Sequence, residues 1–462
     1  MAEEKRENPS TILFEEDVVK QGRRARKSAS RAARYMSKHS NIVKSESERL
    51  VPRFDESEIV LGKILGSGGF NNVYELERIE LLYDPLNSKH YKKISTEIQT
   101  QLRRDAAQKY QETSNFAIKC LSQKTINDSD RFCTGAADLV VEAKFLASLS
   151  HPNIISLRGM AAAGTSGFAS CRPNGYFLVL DRLQCSLEDV INDWKEEEKK
   201  ATGSLQRKIL DRNGRKQRNL LADRLRVAFD IASALLYLHQ NKIIYRDLKP
   251  DNVGFDCNGI VKLFDFGLAK ELDDTMRLGY CSEFYQLSGN TGSLRYMAPE
   301  VALSQPYNLT ADVYSFGLLL WQMSSLELPY DGMSRADHSL YVVKGKQRPE
   351  LNPSWSTPLR ILMKRAWESD PSVRPSMDST YKILKREVIS LRNPESVSLE
   401  TVRRQSSYRI GWRGSSHKNL NPDKGKSLKN IFKRQYSTNR VNLIGVSNLS
   451  DRNPIERNPV AA

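Results

Sequence analysis

No apolar run in this sequence approaches the roughly 18 residues that a membrane-spanning helix needs. The opening residues also lack the apolar stretch of a secretory signal, and their acidic side chains (Glu3, Glu4, Glu7, Glu15, Glu16 and Asp17) argue against an organelle transit peptide. Cysteine is scarce and scattered. The six residues Cys120, Cys133, Cys171, Cys185, Cys257 and Cys281 include no C-x-x-C pair and no histidine grouping at metal-ligand spacing, so neither a disulfide framework nor a zinc site is expected. No internal repeat is present. These absences lead us to expect a chain with reduced thiols and no membrane span, working in the cytoplasm or the nucleus.

What remains is a chain of 462 residues, 39% hydrophobic and 8% aromatic, with enough apolar surface for a real core. A mean hydropathy of -0.54 signals that polar sequence is attached to that core. The length suits two or three ordinary domains, or one two-lobed enzyme with tails. A formal charge of +16 invites a nucleic-acid reading until the charge is located. Thirteen Lys/Arg against eight Asp/Glu precede position 54, and thirteen against five follow position 392. The basic character belongs to the ends. It accompanies no recognition module and no aromatic-interleaved stacking pattern, so no specific nucleic-acid partner is expected. The basic run from Gln21 to Lys27 fits a solvated arm better than a nuclear signal or an acidic-membrane contact.

Residues 1–53 and 393–462 show no sustained apolar period and are expected to be basic, disordered arms, the first with one short helix over Arg23 to Met36. Between them, Ile59 to Leu65, Val73 to Leu76, Asn115 to Leu121, Tyr176 to Asp181 and Ile260 to Phe264 read as strands. Helical spacing follows in Leu139 to Leu146, Leu221 to Leu238, Val313 to Met323 and Leu359 to Ala366. A strand-rich first part and a helix-rich second part predict an α+β arrangement in two lobes. Two charged stretches, near 79–113 and 193–219, read as surface insertions, the first with a helix over Ile94 to Tyr110.

Three constellations carry chemistry. The string Leu65-Gly66-Ser67-Gly68-Gly69-Phe70-Asn71-Asn72-Val73 lies between two strands, where glycines let backbone amides approach phosphate oxygens; alone, such a string is more often only a turn. Phe116-Ala117-Ile118-Lys119 puts a lysine at the end of an apolar strand, where it is either an ordinary surface lysine or a buried cation that needs an anion, and Glu142 on the following helix is a candidate partner. The specific signal is Ile244-Tyr245-Arg246-Asp247-Leu248-Lys249-Pro250-Asp251-Asn252. An Asp that accepts a proton, a Lys two positions on that neutralises a transferring phosphate, and an Asn five positions from the Asp that ligates Mg²⁺ suit phosphoryl transfer. Asp265-Phe266-Gly267 then follows a hydrophobic strand, and Ala298-Pro299-Glu300 comes after it.

In this order and spacing the motifs resemble a eukaryotic protein kinase from Phe54 to Arg392. The resemblance implies the two-lobed kinase fold, ATP and Mg²⁺ as cofactors, and protein substrates. It assigns Lys119 to the α/β-phosphates and to a pair with Glu142, Asp247 to the substrate hydroxyl and its proton, and Lys249 to the γ-phosphate. Asn252 and Asp265 would bind Mg²⁺. Nucleotide would be cradled by Leu65, Gly66, Ser67, Gly68, Gly69, Val73, Ala117 and Lys119, with Leu180 as gatekeeper and the hinge at Asp181-Arg182-Leu183, Leu183 donating its amide. Glu300 and Arg374 resemble the family's structural ion pair, and Asp312 the aspartate that braces the catalytic loop. Asp247-Leu248-Lys249-Pro250 and Gly292-Ser293-Leu294-Arg295-Tyr296-Met297-Ala298-Pro299-Glu300 are similar to the tyrosine-kinase-like group, which mostly phosphorylates Ser/Thr. A pseudokinase or scaffold would be expected to lose Lys119, Asp247 or Asp265, and all three are present.

Departures from the family pattern also set expectations. Asn71 replaces the third glycine of the loop and would keep the turn by tolerating positive φ. Tyr245 replaces a histidine and would pack on Phe266, and Gly254 replaces a leucine and would leave the nucleotide floor roomier. Arg246 before Asp247 resembles the form activated by phosphate in the activation segment, where an upstream kinase would act on Thr275, Tyr280, Ser282, Tyr285, Ser288 or Thr291, with Ser288 and Thr291 nearest the Ala298-Pro299-Glu300 anchor. Arg403-Arg404-Gln405-Ser406 resembles a basophilic phosphorylation site.

Overall fold

The computed structural model of the protein describes residues 9–81, 96–113, 115–202, 215–279 and 283–392. The described residues begin with two helices, α1 (Pro9–His39) and α2 (Ser45–Arg49), that precede the first strand. Six strands follow: β1 (Arg53–Phe54), β2 (Ile59–Ser67), β3 (Asn71–Ile79), β4 (Phe116–Leu121), β5 (Leu157–Ala161) and β6 (Phe177–Asp181). They form one sheet in the order β1-β5-β6-β4-β3-β2. Strand β4 lies between β3 and β6, and Phe116, Ala117, Ile118, Cys120 and Leu121 are all buried. An unbroken apolar run is what a strand covered on both faces requires, and Lys119 is the exception within it.

Helix α3 (Thr96–Thr113) lies between β3 and β4, and α4 (Gln123–Ile126) and α5 (Ser129–Ser148) follow β4. Asp128 caps α5, accepting from the amides of Asp130 and Arg131 at 3.1 and 3.0 Å. Beyond β6 the chain is mainly helical: α6 (Leu187–Thr202), α7 (Arg215–Gln240), α8 (Pro299–Ala302), α9 (Thr310–Ser325), α10 (Thr357–Ala366) and α11 (Met377–Arg392). Helix α9 is buried on every side from Ala311 to Ser324, as expected of a helix with apolar residues all around it at the centre of a helical lobe. Two small sheets sit with these helices, β7 (Leu183–Ser186), β9 (Val253–Asp256) and β10 (Val261–Leu263) in the order β10-β9-β7, and β8 (Ile243–Ile244) with β11 (Lys270–Glu271). The two-lobed α+β fold is borne out. No described helix is long and apolar enough to cross a membrane.

Three expectations need correction. The arm expected to be disordered is helical from Pro9 to His39 and again from Ser45 to Arg49. Its buried positions, Gly22, Ala25, Ala29 and Met36, recur at helical spacing, but three of the four are too small to register as apolar periodicity. The first insertion is more than decoration: the helix expected over Ile94 to Tyr110 is α3, and it buries Gln99, Arg103, Ala107 and Tyr110. Arg103 pairs with the buried Glu58, and the Tyr110 hydroxyl donates to the Glu77 carbonyl at 2.7 Å. The described part of the second insertion is helix as well. Residues 193–202 continue α6 and 215–219 open α7, because a run of Lys and Glu favours helix and pairs along it, Lys199 with Glu196 at 3.1 Å. Tyr280, Ser282 and the tail from 393, including Ser406, lie outside the described residues.

Candidate active site

The sheet register gathers the N-lobe candidates. Gly66 pairs with Val73, Val73 with Lys119, Lys119 with Leu178, and Ala117 with Leu180. Paired residues, and residues two apart, share a face of a sheet, so Gly66, Val73, Ala117, Lys119, Leu178 and Leu180 line one surface.

From that surface the Lys119 ammonium reaches Glu142 Oε2 on α5 at 2.6 Å and Asp265 Oδ1 at 3.1 Å. Burial opposes the charge on Lys119, but the Asp265 and Glu142 carboxylates outweigh it and hold the amine above its ordinary value. Burial pushes the Glu142 carboxyl up, with Lys119 opposing. Lys119 holds Asp265 below the usual carboxylate range despite burial. The side chains of Lys119 and Glu142 are 7% and 1% exposed, whereas Asp265 keeps 42%. The lysine is therefore clamped from inside, and the aspartate presents its carboxylate outward. Asp265 sits at φ 64°, a strained conformation for a non-glycine residue, which its bond to Lys119 helps hold.

Asp247 is fixed by four donors. Its Oδ1 accepts from the Ser293 amide at 2.9 Å and the Ser293 hydroxyl at 2.8 Å, and its Oδ2 from Asn252 Nδ2 at 2.8 Å and Lys249 Nζ at 3.1 Å. Lys249 Nζ also donates to Ser293 Oγ at 2.9 Å. Because Asn252 spends its amide nitrogen on Asp247, its side-chain oxygen is left to face other groups. Asp312 on α9 accepts from the amides of Tyr245 and Arg246 at 2.8 and 2.9 Å and is 3.0 Å from His239 Nε2. The loop is thus suspended from a buried carboxylate of α9. Gly292, at φ 96°, lets the chain pass Arg246, since a Cβ there would lie 2.2 Å from the Arg246 carbonyl oxygen. The Tyr245 ring meets Phe266 edge to face at 5.3 Å, as the sequence suggests. Glu300 and Arg374 form a buried bidentate pair at 2.6 and 2.8 Å.

The glycine turn differs from expectation in its mechanics. Asn71 is the first residue of β3, opposite Leu121, and has no positive φ; its carbonyl accepts from the Gly68 amide at 2.7 Å. The turn survives as a tight strand connection and needs no left-handed residue. Gly66 and Gly69 have nothing within 4 Å of an added Cβ, so the protein's own packing does not demand glycine there. Open space beside a glycine backbone is what a phosphate chain requires, and two hard-oxygen groups, the outward Asp265 carboxylate and the Asn252 amide oxygen, fit a Mg²⁺ ion.

On the adenine side, Asp181 ends β6 and Leu183 opens β7, so the expected hinge joins the two sheets. The Asp181 and Arg182 side chains are turned to ion pairs, with Arg158 at 2.6 Å and Glu75 at 2.5 Å. Gly254 does not enlarge the floor. An added Cβ would lie 2.7 Å from Leu183 Cδ1, 3.1 Å from the Cys185 carbonyl oxygen and 3.3 Å from the Phe264 ring, so Leu183 and Phe264 already fill the space a larger residue would take.

Two residues that sequence reasoning passed over hold the tip of the glycine turn. Arg131 on α5 donates to the Gly69 carbonyl, and its guanidinium lies 5.1 Å from the centre of the Phe70 ring. Gly135 makes room for that ring: an added Cβ would be 3.0 Å from Leu121 and 3.2 Å from Phe70. The available signal was their place two and three helical turns before Glu142.

The sequence profile of the protein kinase domain matches residues 105–385, more than half of the chain. Serine/threonine-protein kinase STY17 of Arabidopsis thaliana is 35% identical over 160 residues, which cover 35% of this chain and 26% of the relative. Serine/threonine/tyrosine-protein kinase HT1 of the same plant is 36% identical over 162 residues, 35% of this chain and 39% of the relative. Dual specificity protein kinase shkB of Dictyostelium discoideum is 34% identical over 189 residues, 40% of this chain and 27% of the relative. The chain thus spans between about a quarter and two fifths of these relatives' lengths. With a β-sheet lobe, a helical lobe and the Lys119–Glu142 pair joining them to Asp265, the matched segment leaves one conclusion: the chain belongs to the protein kinase family and resembles its tyrosine-kinase-like group.

Proposed function

We propose that this chain is an active, ATP- and Mg²⁺-dependent kinase that phosphorylates serine and threonine in protein substrates. The observation that carries the reading is the clamp of Lys119 between Glu142 and Asp265, beside an Asp247 already oriented by its neighbours. Lys119, kept charged and immobile, would bind the α/β-phosphates without paying for reorganisation. Asp247 would receive the proton of the acceptor hydroxyl, with the Ser293 hydroxyl yielding its place on Oδ1. Lys249, 2.9 Å from Ser293 Oγ, stands where it would neutralise charge on the transferring group. Mg²⁺ held by Asp265 and Asn252 would supply charge neutralisation on the phosphates.

The preference for Ser/Thr rests on Asp247-Leu248-Lys249-Pro250 and on the Lys249–Ser293 contact. The names of HT1 and shkB, which carry tyrosine or dual specificity, support a second reading in which tyrosine is also accepted. A peptide array phosphorylated with ATP and Mg²⁺ separates them: label confined to Ser/Thr peptides supports the first, and equal label on Tyr peptides supports the second. Equal signals from wild type and Asp265→Ala would mean a contaminant, and a pseudokinase.

Activation by an upstream kinase belongs to the same proposal. Arg246 Nη1 lies 2.9 Å from Ser288 Oγ, and Ser288 Oγ is 3.1 Å from Thr291 Oγ1. A phosphate on Ser288 would give the Arg246 guanidinium an anionic partner. Dephosphorylation should lower activity and Ser288→Ala should abolish that sensitivity; unchanged activity after complete dephosphorylation would overturn the idea.

A further inference from the structure

Helix α1 lies along α5, the helix that carries Glu142, and the two run in the same direction. Gln21 Nε2 donates to the Ile126 carbonyl at 2.5 Å, Arg24 Nη1 to Ser129 Oγ at 3.0 Å, and, at the far end, Lys144 Nζ to Ser37 Oγ at 3.3 Å. The offset between partners stays near 105 residues along the whole contact. Helix α1 is also seated against the turn at 164–171: Ala25 and Ala29 are fully buried, and a Cβ on Gly22 would stand 2.7 Å from Cys171 Sγ and 2.9 Å from the Ala169 carbonyl oxygen of that turn.

Past α1 the chain turns to the other lobe. Ser40 Oγ donates to Glu271 Oε2, the Asn41 amide donates to Glu271 Oε1 at 2.9 Å, and the Lys270 ammonium sits 4.4 Å from the centre of the Tyr35 ring. Lys270 and Glu271 form β11, which pairs with Ile243–Ile244 immediately ahead of the catalytic loop and lies just after Asp265-Phe266-Gly267. The chain then returns to α5. Glu48 of α2 pairs with Lys144 and, at 2.9 Å, with Arg53. The end of this stretch is held by α3, where Gln99 donates to the carbonyls of Arg49 and Val51 at 2.8 and 3.1 Å and accepts from the Arg53 amide at 3.0 Å.

Lys144 follows Glu142 by two residues, which on a helix places it on the opposite side. One side of α5 thus seats the catalytic pair, and the other is gripped by α1 and α2. We propose that Pro9–Arg49 is a built-in strap that positions the machinery: it holds α5 inward so that Glu142 meets Lys119, and through Ser40, Asn41 and Glu271 it couples that helix to the strand that follows Asp265. Ser40, Glu48, Lys144 and Glu271 are positioning residues in this scheme. None of them needs to touch nucleotide or substrate. The inference rests on the phosphoryl-transfer reading for its effect on rate, while the mechanical link itself does not.

The test uses the full-length chain and two readouts: the kcat and KM of peptide phosphorylation, and amide hydrogen exchange over 129–148. Glu271→Ala should lower kcat about tenfold, because small displacements of a catalytic group are costly, while the KM for ATP moves much less. Glu271→Gln, which keeps an acceptor for the Asn41 amide, should recover most of that loss. Adding Ser40→Ala to Glu271→Ala should cost little more, since both break one link. Exchange over 129–148 should quicken in Glu271→Ala at an unchanged Tm. Ala25→Glu with Ala29→Glu should release α1 and reproduce both effects; if that variant does not fold, the Glu271 and Ser40 variants decide. Wild-type kcat and wild-type exchange in Glu271→Ala would overturn the strap. Equal activity in wild type and Asp265→Ala would overturn the kinase reading instead, and the exchange data would still judge the strap.

Discussion

The catalytic loop and the glycine turn hold their residues by opposite means. Around Asp247 the constraints are hydrogen bonds and ion pairs to carboxylates, four donors on Asp247 itself and the loop backbone hung from Asp312. The glycine turn has almost none of this. Gly66 and Gly69 have only open space beside them, and the turn is tied to the rest of the lobe near its tip, where the Phe70 carbonyl accepts from the Ser122 amide and the Thr125 hydroxyl, Arg131 donates to the Gly69 carbonyl and Phe70 lies against Gly135. Proton acceptance tolerates little movement of the base, whereas a cover over a nucleotide must open and close. On the proposed function, the difference in anchoring would match a difference in work.

Breaking the rigid side should have the largest effect. Asp312→Ala strands three buried or half-buried donors and should cost roughly 3 kcal/mol of stability, read as a lower Tm, together with a fall in kcat. Breaking the mobile side should divide its effects differently. Gly135→Val would displace Phe70 and should cost about 1–3 kcal/mol from overpacking, with a raised KM for ATP. Gly69→Ala meets no protein atom, so Tm should stay unchanged while the KM for ATP rises; a lowered Tm would contradict the picture of an uncommitted turn.

The smallest effect concerns His151, away from both loops in sequence, against α7. His151 stacks on Tyr237 at 5.1 Å, and burial, with Lys262 adding, pushes its imidazole down from 6.5 to about 4. The unfolded chain takes up this proton below about pH 6.5 and the folded chain only near 4, so stability should fall as pH drops through that window and level off below it. His151→Gln should flatten that part of a Tm against pH profile.

The grouping of the candidate site residues was legible because such residues have few other reasons to stand in these places. A lysine in the apolar strand Phe116–Leu121, and Asp247, Lys249 and Asn252 crowded into one loop, are costly unless they act together. The scaffold was not legible, for the converse reason. The buried face of α1 is Gly22, Ala25 and Ala29 with the single large residue Met36, and that of α3 is Gln99, Arg103, Ala107 and Tyr110, mostly small or polar residues that look like a solvated surface until their partners are seen. Gly254 misled for a similar reason: an empty side chain suggested a gap that Leu183, distant in sequence, fills. Packing that depends on a neighbour elsewhere in the chain leaves no local periodicity to read.

The most direct test of the central claim is phosphoamino-acid analysis of a protein substrate after incubation with labelled ATP and Mg²⁺, wild type beside Asp247→Asn. The account predicts labelled phosphoserine and phosphothreonine with wild type and a loss of at least about a hundredfold in the variant. Equal labelling by both proteins, or none by either, would contradict it.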